Sequence, residues 1–101
     1  MVIQAQDKVM DSLQNQLKKS KNDIDKTIVL NAISDQYKYS DPNKMAEFGN
    51  QALQLAQKIK YEVEEGYAYL NIGTSNIILG DYKKALESFS LAKDIFEENN
   101  T

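Results

Sequence analysis

Residues Gly66 to Glu98 read GYAYLNIGTSNIILGDYKKALESFSLAKDIFEE. Apolar residues recur at three- and four-residue steps on both sides of Gly80-Asp81. That is the period of an α-helix. Gly80 suits a helix C-terminus, and Asp81 suits the cap of the helix that follows. The stretch predicts two helices, Glu62 to Leu79 and Tyr82 to Glu98, joined by a tight turn. Gly66, Tyr69, Leu70, Gly73 and Ile77 mark the packed face of the first, and Ala85, Phe89, Ala92 and Phe96 face inward from the second.

The pattern extends toward the N-terminus. Ser40-Asp41-Pro42 supplies a cap and a proline suited to the first helical position. It opens a predicted helix from Pro42 to Ile59, with Met45, Gly49, Ala52, Ala56 and Ile59 on one face. Between Lys58 and Gly66 there is neither proline nor asparagine. A turn near Lys60-Tyr61 is expected there, with a continuous helix as the alternative. An earlier helix is predicted from Ile24 to Tyr39, after a break and cap at Asn22-Asp23. Ile24, Ile28 and Ala32 form one edge of its buried face, and Val29, Ile33 and Tyr37 the other. The first helix is predicted from Gln6 to Ser20 on the stripe Val9, Met10, Leu13 and Leu17, with lysines at its C-terminal dipole. The fold class expected is all-α, with about five helices.

Composition narrows the chemistry. The chain has 101 residues, net charge −3, and neither cysteine nor histidine. Disulfides, a thiolate nucleophile and Cys/His zinc sites are excluded, and so is the usual general base near neutral pH. All cations are lysine, so bidentate guanidinium recognition of anions is excluded too. The mild acidity argues against general nucleic-acid binding. No apolar stretch is long enough to cross a membrane. Neither a cofactor nor a metal site is expected, and no catalytic residue is assigned.

Superimposing the chain on itself at an offset of 40 residues pairs Leu30 with Leu70, Asn31 with Asn71, Asp41 with Asp81 and Ala52 with Ala92. It also pairs Ser34 with Thr74, Tyr39 with Leu79 and Leu55 with Ile95. Two helix–turn–helix units thus repeat at a period suited to helical solenoids. Gly66 to Glu98 resembles a tetratricopeptide repeat. Tyr69 stands at the first aromatic position and Ile72-Gly73 replaces the Leu-Gly pair. Gly80-Asp81-Tyr82 forms the inter-helix turn, and Ala85, Phe89 and Ala92 form the small–aromatic–small signature. Asn76 and Glu97 depart from the usual tyrosine and proline. Lys26 to Ile59 resembles a degenerate copy, with Met45, Gly49 and Ala52 at the signature positions. The arrangement, including the Tyr-Ser-Asp-Pro turn, is similar to repeat regions ahead of some bacterial sensor kinases and transcription regulators.

The resemblance implies a short right-handed superhelix. Residues 1–22 would be an N-terminal helix packed on the stack, 23–60 the first repeat, 61–98 the second and 99–101 a polar tail. It also implies a non-catalytic scaffold whose partner, a protein or peptide, lies in a concave groove. Carried over residue by residue, that groove comprises Asn31, Ser34, Tyr37, Lys38, Tyr67, Leu70, Asn71, Thr74 and Ile78. The Asn31/Asn71 pair would clamp an extended peptide backbone through amide donors and acceptors; the alternative is that both cap or bridge neighbouring helices. Leu30 and Leu70 occupy positions where the family's carboxylate clamp needs lysine, so a partly apolar groove is expected.

Glu62, Glu64 and Glu65 read as a solvated cluster complementing a helix dipole. The tyrosines read as packing residues. Leu86, Leu91, Ile95 and Phe96 add apolar surface to the last helix, which makes homodimerisation through open terminal helices the second functional reading. Ile3-Gln4-Ala5 followed by Gln6 resembles the end of a secretory signal peptide and so suggests a periplasmic location. The apolar core such a signal needs is missing, and a frayed N-terminus on a cytoplasmic chain is the alternative.

Overall fold

Three of the helix starts are fixed by a side-chain oxygen at the cap. Asn22 Oδ1 accepts from the Asp25 amide at 2.8 Å, Asp41 Oδ1 from Lys44 at 3.1 Å and Asp81 Oδ1 from Lys84 at 3.3 Å. Each bond satisfies one of the amide groups that a helix N-terminus leaves unpaired. The computed structural model describes the backbone of residues 2–100 and the side chains of residues 7–100. Its helices are α1 (Val2–Lys19), α2 (Asp23–Gln36), α3 (Pro42–Ile59), α4 (Glu62–Leu79) and α5 (Tyr82–Asn99). No strand occurs among the described residues.

The end of α2 differs from expectation, and the break between α3 and α4 meets it. The helix expected to run to Tyr39 ends at Gln36 and tightens into a 3-10 turn over Tyr37–Tyr39. There the Tyr37 carbonyl accepts from both Ser40 and Asp41, which closes the chain toward Pro42. The expected turn between α3 and α4 is present, and the continuous helix is not. Lys60 adopts the left-handed conformation (φ 58°), and the Tyr61 amide donates to the Ala56 carbonyl at 2.8 Å. This closure usually uses glycine, as it does at Gly80 (φ 85°).

At the ends, α1 begins before the expected Gln6, and α5 extends one residue past the expected Glu98. Asn99 therefore belongs to α5 rather than to a loose tail. Its amide donates to Glu62 Oε2 at 3.0 Å and to the Ile95 carbonyl at 2.8 Å. Ile3-Gln4-Ala5 lies in the α1 backbone, but its side chains, like Met1 and Thr101, fall outside the described residues.

Consecutive helices pack as neighbours, and α2 also reaches α4 across the stack. The molecule measures 38 × 34 × 21 Å, so its thin dimension is about two helix diameters. Small residues let the helices approach closely. Gly49, Ala52 and Ala56 on α3, Gly66, Ala68 and Gly73 on α4, and Ala85 and Ala92 on α5 are all buried. The aromatic rings of α5 use that space. A Cβ placed at Gly73 would stand 2.7 Å from the Phe89 ring, and one at Gly66 would stand 2.9 Å from Phe96. Leu30, Ala52 and Ala68 form a shared core, and Leu17 of α1 packs against it.

The faces of α2 and α4 require a correction. Val29, Leu30 and Ile33 are buried together with Thr27, Asn31 and Ser34. The edge assigned to Ile24 and Ile28 is exposed instead. Ile77 on α4 is exposed as well. Both helices carry apolar residues over much of their circumference, so period alone left the buried sector free to rotate. Small polar residues settle it by bonding across the seam, as in the 2.6 Å bond from Ser34 Oγ to the Met45 carbonyl. Tyr39 and Tyr82 are exposed rather than packed.

Candidate functional site, a groove between α2 and α4

Helices α2 and α4 line a groove of about 510 Å³. Ile28, Asn31, Ala32 and Asp35 come from α2; Glu64, Tyr67, Leu70, Asn71 and Thr74 come from α4. The i, i+3, i+4, i+7 spacing on each helix brings these residues to one face. Apolar surface from Ile28, Ala32, Tyr67 and Leu70 surrounds a line of polar groups.

That line is a directed relay. The Asn71 amide donates to the Asn31 carbonyl at 3.2 Å and to Asn31 Oδ1 at 3.3 Å. The Asn31 amide donates to the Glu64 carbonyl at 3.0 Å and to Glu64 Oε1 at 3.3 Å. A carbonyl can only accept, and one stands beside each of these amide nitrogens, so both side-chain orientations are determined. The repeated asparagines therefore bridge neighbouring helices, which was the alternative to the peptide clamp. Among the described residues, nothing donates to Asn71 Oδ1.

Glu64 corrects the reading of the acidic cluster. It is only 8% exposed, whereas Glu62 is exposed as expected. Burial raises the Glu64 pKa above its ordinary value of 4.5, and the Asn31 hydrogen bond partly opposes that rise. Glu64 Oε2 has no partner among the described residues. No side-chain polar atom there is both sealed from solvent and unbonded, so Oε2 keeps some access to solvent, and Glu64 is among the residues that line the groove. The sequence carried one signal for this. Glu64 sits seven residues before Asn71 on α4, two turns along the same face.

The structure brings together Asn31, Tyr67, Leu70, Asn71 and Thr74 of the expected groove. The other four lie elsewhere. Ser34 is fully buried beneath α3. Tyr37 stacks on Phe48 with ring centroids 5.7 Å apart. Lys38 pairs with Asp35 at 3.7 Å and lies over the Tyr39 ring. Ile78 is exposed beyond the groove. Ile28, Ala32, Asp35 and Glu64 join the lining without having been assigned to it. Thr74 Oγ1 donates back to the Leu70 carbonyl at 2.8 Å.

The outer face of α5 divides in two. Leu86 is 68% exposed and Leu91 46%, and both border a shallow depression with Glu87, Ser90 and Asp94. Ile95 and Phe96 turn toward Gly66, and Phe96 meets Tyr67 edge-on at 5.2 Å.

No family model, no curated protein and no solved structure matches the chain. Among the described residues, no cluster of His, Cys, Asp or Glu could hold a metal ion. No helix there is long and apolar enough to cross a membrane.

Proposed function

We propose that the chain is a protein- or peptide-binding scaffold of the tetratricopeptide type that takes its partner in the α2/α4 groove. The observation that carries this reading is the groove itself. It joins the first helices of two units related by the 40-residue offset. It presents apolar walls around polar atoms whose positions are set by the asparagine relay. Such a mixture suits recognition of a peptide by burial plus a few directed bonds. The resemblance to repeat regions of bacterial sensor kinases and regulators supports a place in a larger sensory or regulatory protein.

The test is selection from a displayed peptide library on the intact chain, followed by binding to Ile28→Asp and Tyr67→Ser variants. Both side chains are substantially exposed, so the fold should survive, as circular dichroism would verify. Loss of binding in both variants is expected. Unchanged binding would remove the groove assignment.

A second reading rests on α5. The exposed Leu86 and Leu91 form an apolar strip of the kind that two copies of a short repeat array cover mutually. Here the chain is a self-assembling unit, and the substitutions that test it are at Leu86 and Leu91. Glutamate at Ile95 or Phe96 would disturb the packing on Gly66 instead.

A further inference from the structure

We infer that the groove selects an apolar peptide segment carrying one lysine or arginine, and that the basic group pairs with Glu64. This rests on the groove being the partner site. Charge complementarity points to this occupant. Glu64 is more than nine-tenths buried yet lines the groove. One carboxylate oxygen is held by Asn31, and the other is unpartnered and not sealed from solvent, on a residue that lines the groove. A carboxylate taken from water without a cation is costly to keep charged. No lysine is among the described lining residues. The second acid in the lining, Asp35, is already paired with Lys38. Glu64 is therefore the acid in this lining with no cation from its own chain.

The surroundings favour a cation over a neutral donor. The Tyr67 ring borders the same space, where an aromatic neighbour suits an ammonium or guanidinium group. Ile28, Ala32 and Leu70 accept the apolar stem of a long basic side chain or its neighbours. The relay holds the carboxylate in place, so little ordering is left for the binding step. A free carboxylate on the partner would meet Glu64 and Asp35 and be rejected.

The experiment uses the unbiased displayed library on the intact chain and reads the residue frequencies of selected peptides. Enrichment of lysine or arginine within apolar segments is expected. The tightest selected peptide is then measured against the native chain and Glu64→Gln, and again with its basic residue replaced by methionine. Each change should weaken binding at least tenfold. The two together should cost little more than either alone, because they remove the same pair. Selected peptides that lose binding to Ile28→Asp, yet lack a basic residue or bind Glu64→Gln equally, would overturn this inference and leave the groove standing. Failure to select any groove-binding peptide would overturn both. Glutamine matches glutamate in size and can still accept from Asn31, so circular dichroism of the variant should match the native chain.

Discussion

Asn71 donates its side-chain amide to Oδ1 of Asn31, its counterpart one repeat offset earlier, at 3.3 Å. The repeat that organises the sequence is therefore also a physical bond between its two copies. Because Asn31 passes the chain of donors on to Glu64, the two asparagines are not equivalent. Asn31→Ala leaves both the Glu64 carboxylate and the Asn71 amide short of a partner, and should cost about 1–3 kcal/mol. Asn71 is half-buried, so water can replace its loss, and Asn71→Ala should cost about 1 kcal/mol. Urea unfolding of both variants checks the order. Equal costs would show that the relay carries no direction.

Glu64 gives the chain a pH dependence with a definite sign. Its pKa is raised in the folded state by burial, so the native chain holds that proton more tightly than the unfolded chain does. The group's contribution is complete below its ordinary value of 4.5 and is lost as pH rises through the folded value. Glutamine imitates the protonated acid. Glu64→Gln should thus gain stability relative to the native chain as pH rises, and the gap should close at about pH 4. Paired urea titrations at about pH 4 and about pH 7 measure it. A constant gap would contradict the assignment.

Much of this architecture was legible, and the exceptions have physical causes. Pro42, Asp41, Gly80 and Asp81 punctuate the chain by mechanisms confined to a few residues, and α3 and α4 keep their expected bounds. The turn at Lys60 was harder to place, because a lysine occupies a conformation that glycine usually supplies and Tyr61 gives no side-chain cap. The buried sector of α2 was misread because Ile24 and Ile28 are as apolar as Val29 and Ile33. What distinguishes them is which side carries Asn31 and Ser34 into bonds with other helices. The matched asparagines Asn31 and Asn71 do share one groove lining. Glu64 was hidden among two acidic neighbours on the same first turn, where a dipole argument explains all three equally well.

The Lys60 turn yields its own prediction. A side chain at φ 58° carries a cost of roughly 1 kcal/mol that glycine avoids. Part of that gain is returned through the greater freedom of glycine in the unfolded chain. Lys60→Gly should stabilise the fold by about 0.5 kcal/mol. A drop in unfolding midpoint would mean that Lys60 makes a stabilising contact outweighing its backbone cost.

Close approach governs α4 and α5. Alanine at Gly73 would press its Cβ to 2.7 Å from Phe89 Cε1, so the ring must move within a packed seam. Gly73→Ala should destabilise by about 1–3 kcal/mol. Gly73→Ala combined with Phe89→Leu should recover part of the loss. Thermal unfolding of the single and double variants reads this coupling.

If the apolar strip on α5 is covered by a second copy, light scattering over a concentration series should give twice the chain mass of 11.5 kDa. Leu86→Glu with Leu91→Glu should return it to the single mass. These side chains are largely exposed, so the fold should be unaffected. A native chain that stays at the single mass would leave the strip unpaired and remove the self-assembly reading.

Entry of a partner between α2 and α4 is the proposal on which the functional reading rests. Its most direct test is amide chemical-shift mapping of a library-selected peptide on the isotope-labelled chain. The largest shifts are expected at residues 28–35 and 64–74, with Asn31, Asn71 and Glu64 among them. Shifts centred on residues 86–94 of α5, with the groove unperturbed, would contradict it.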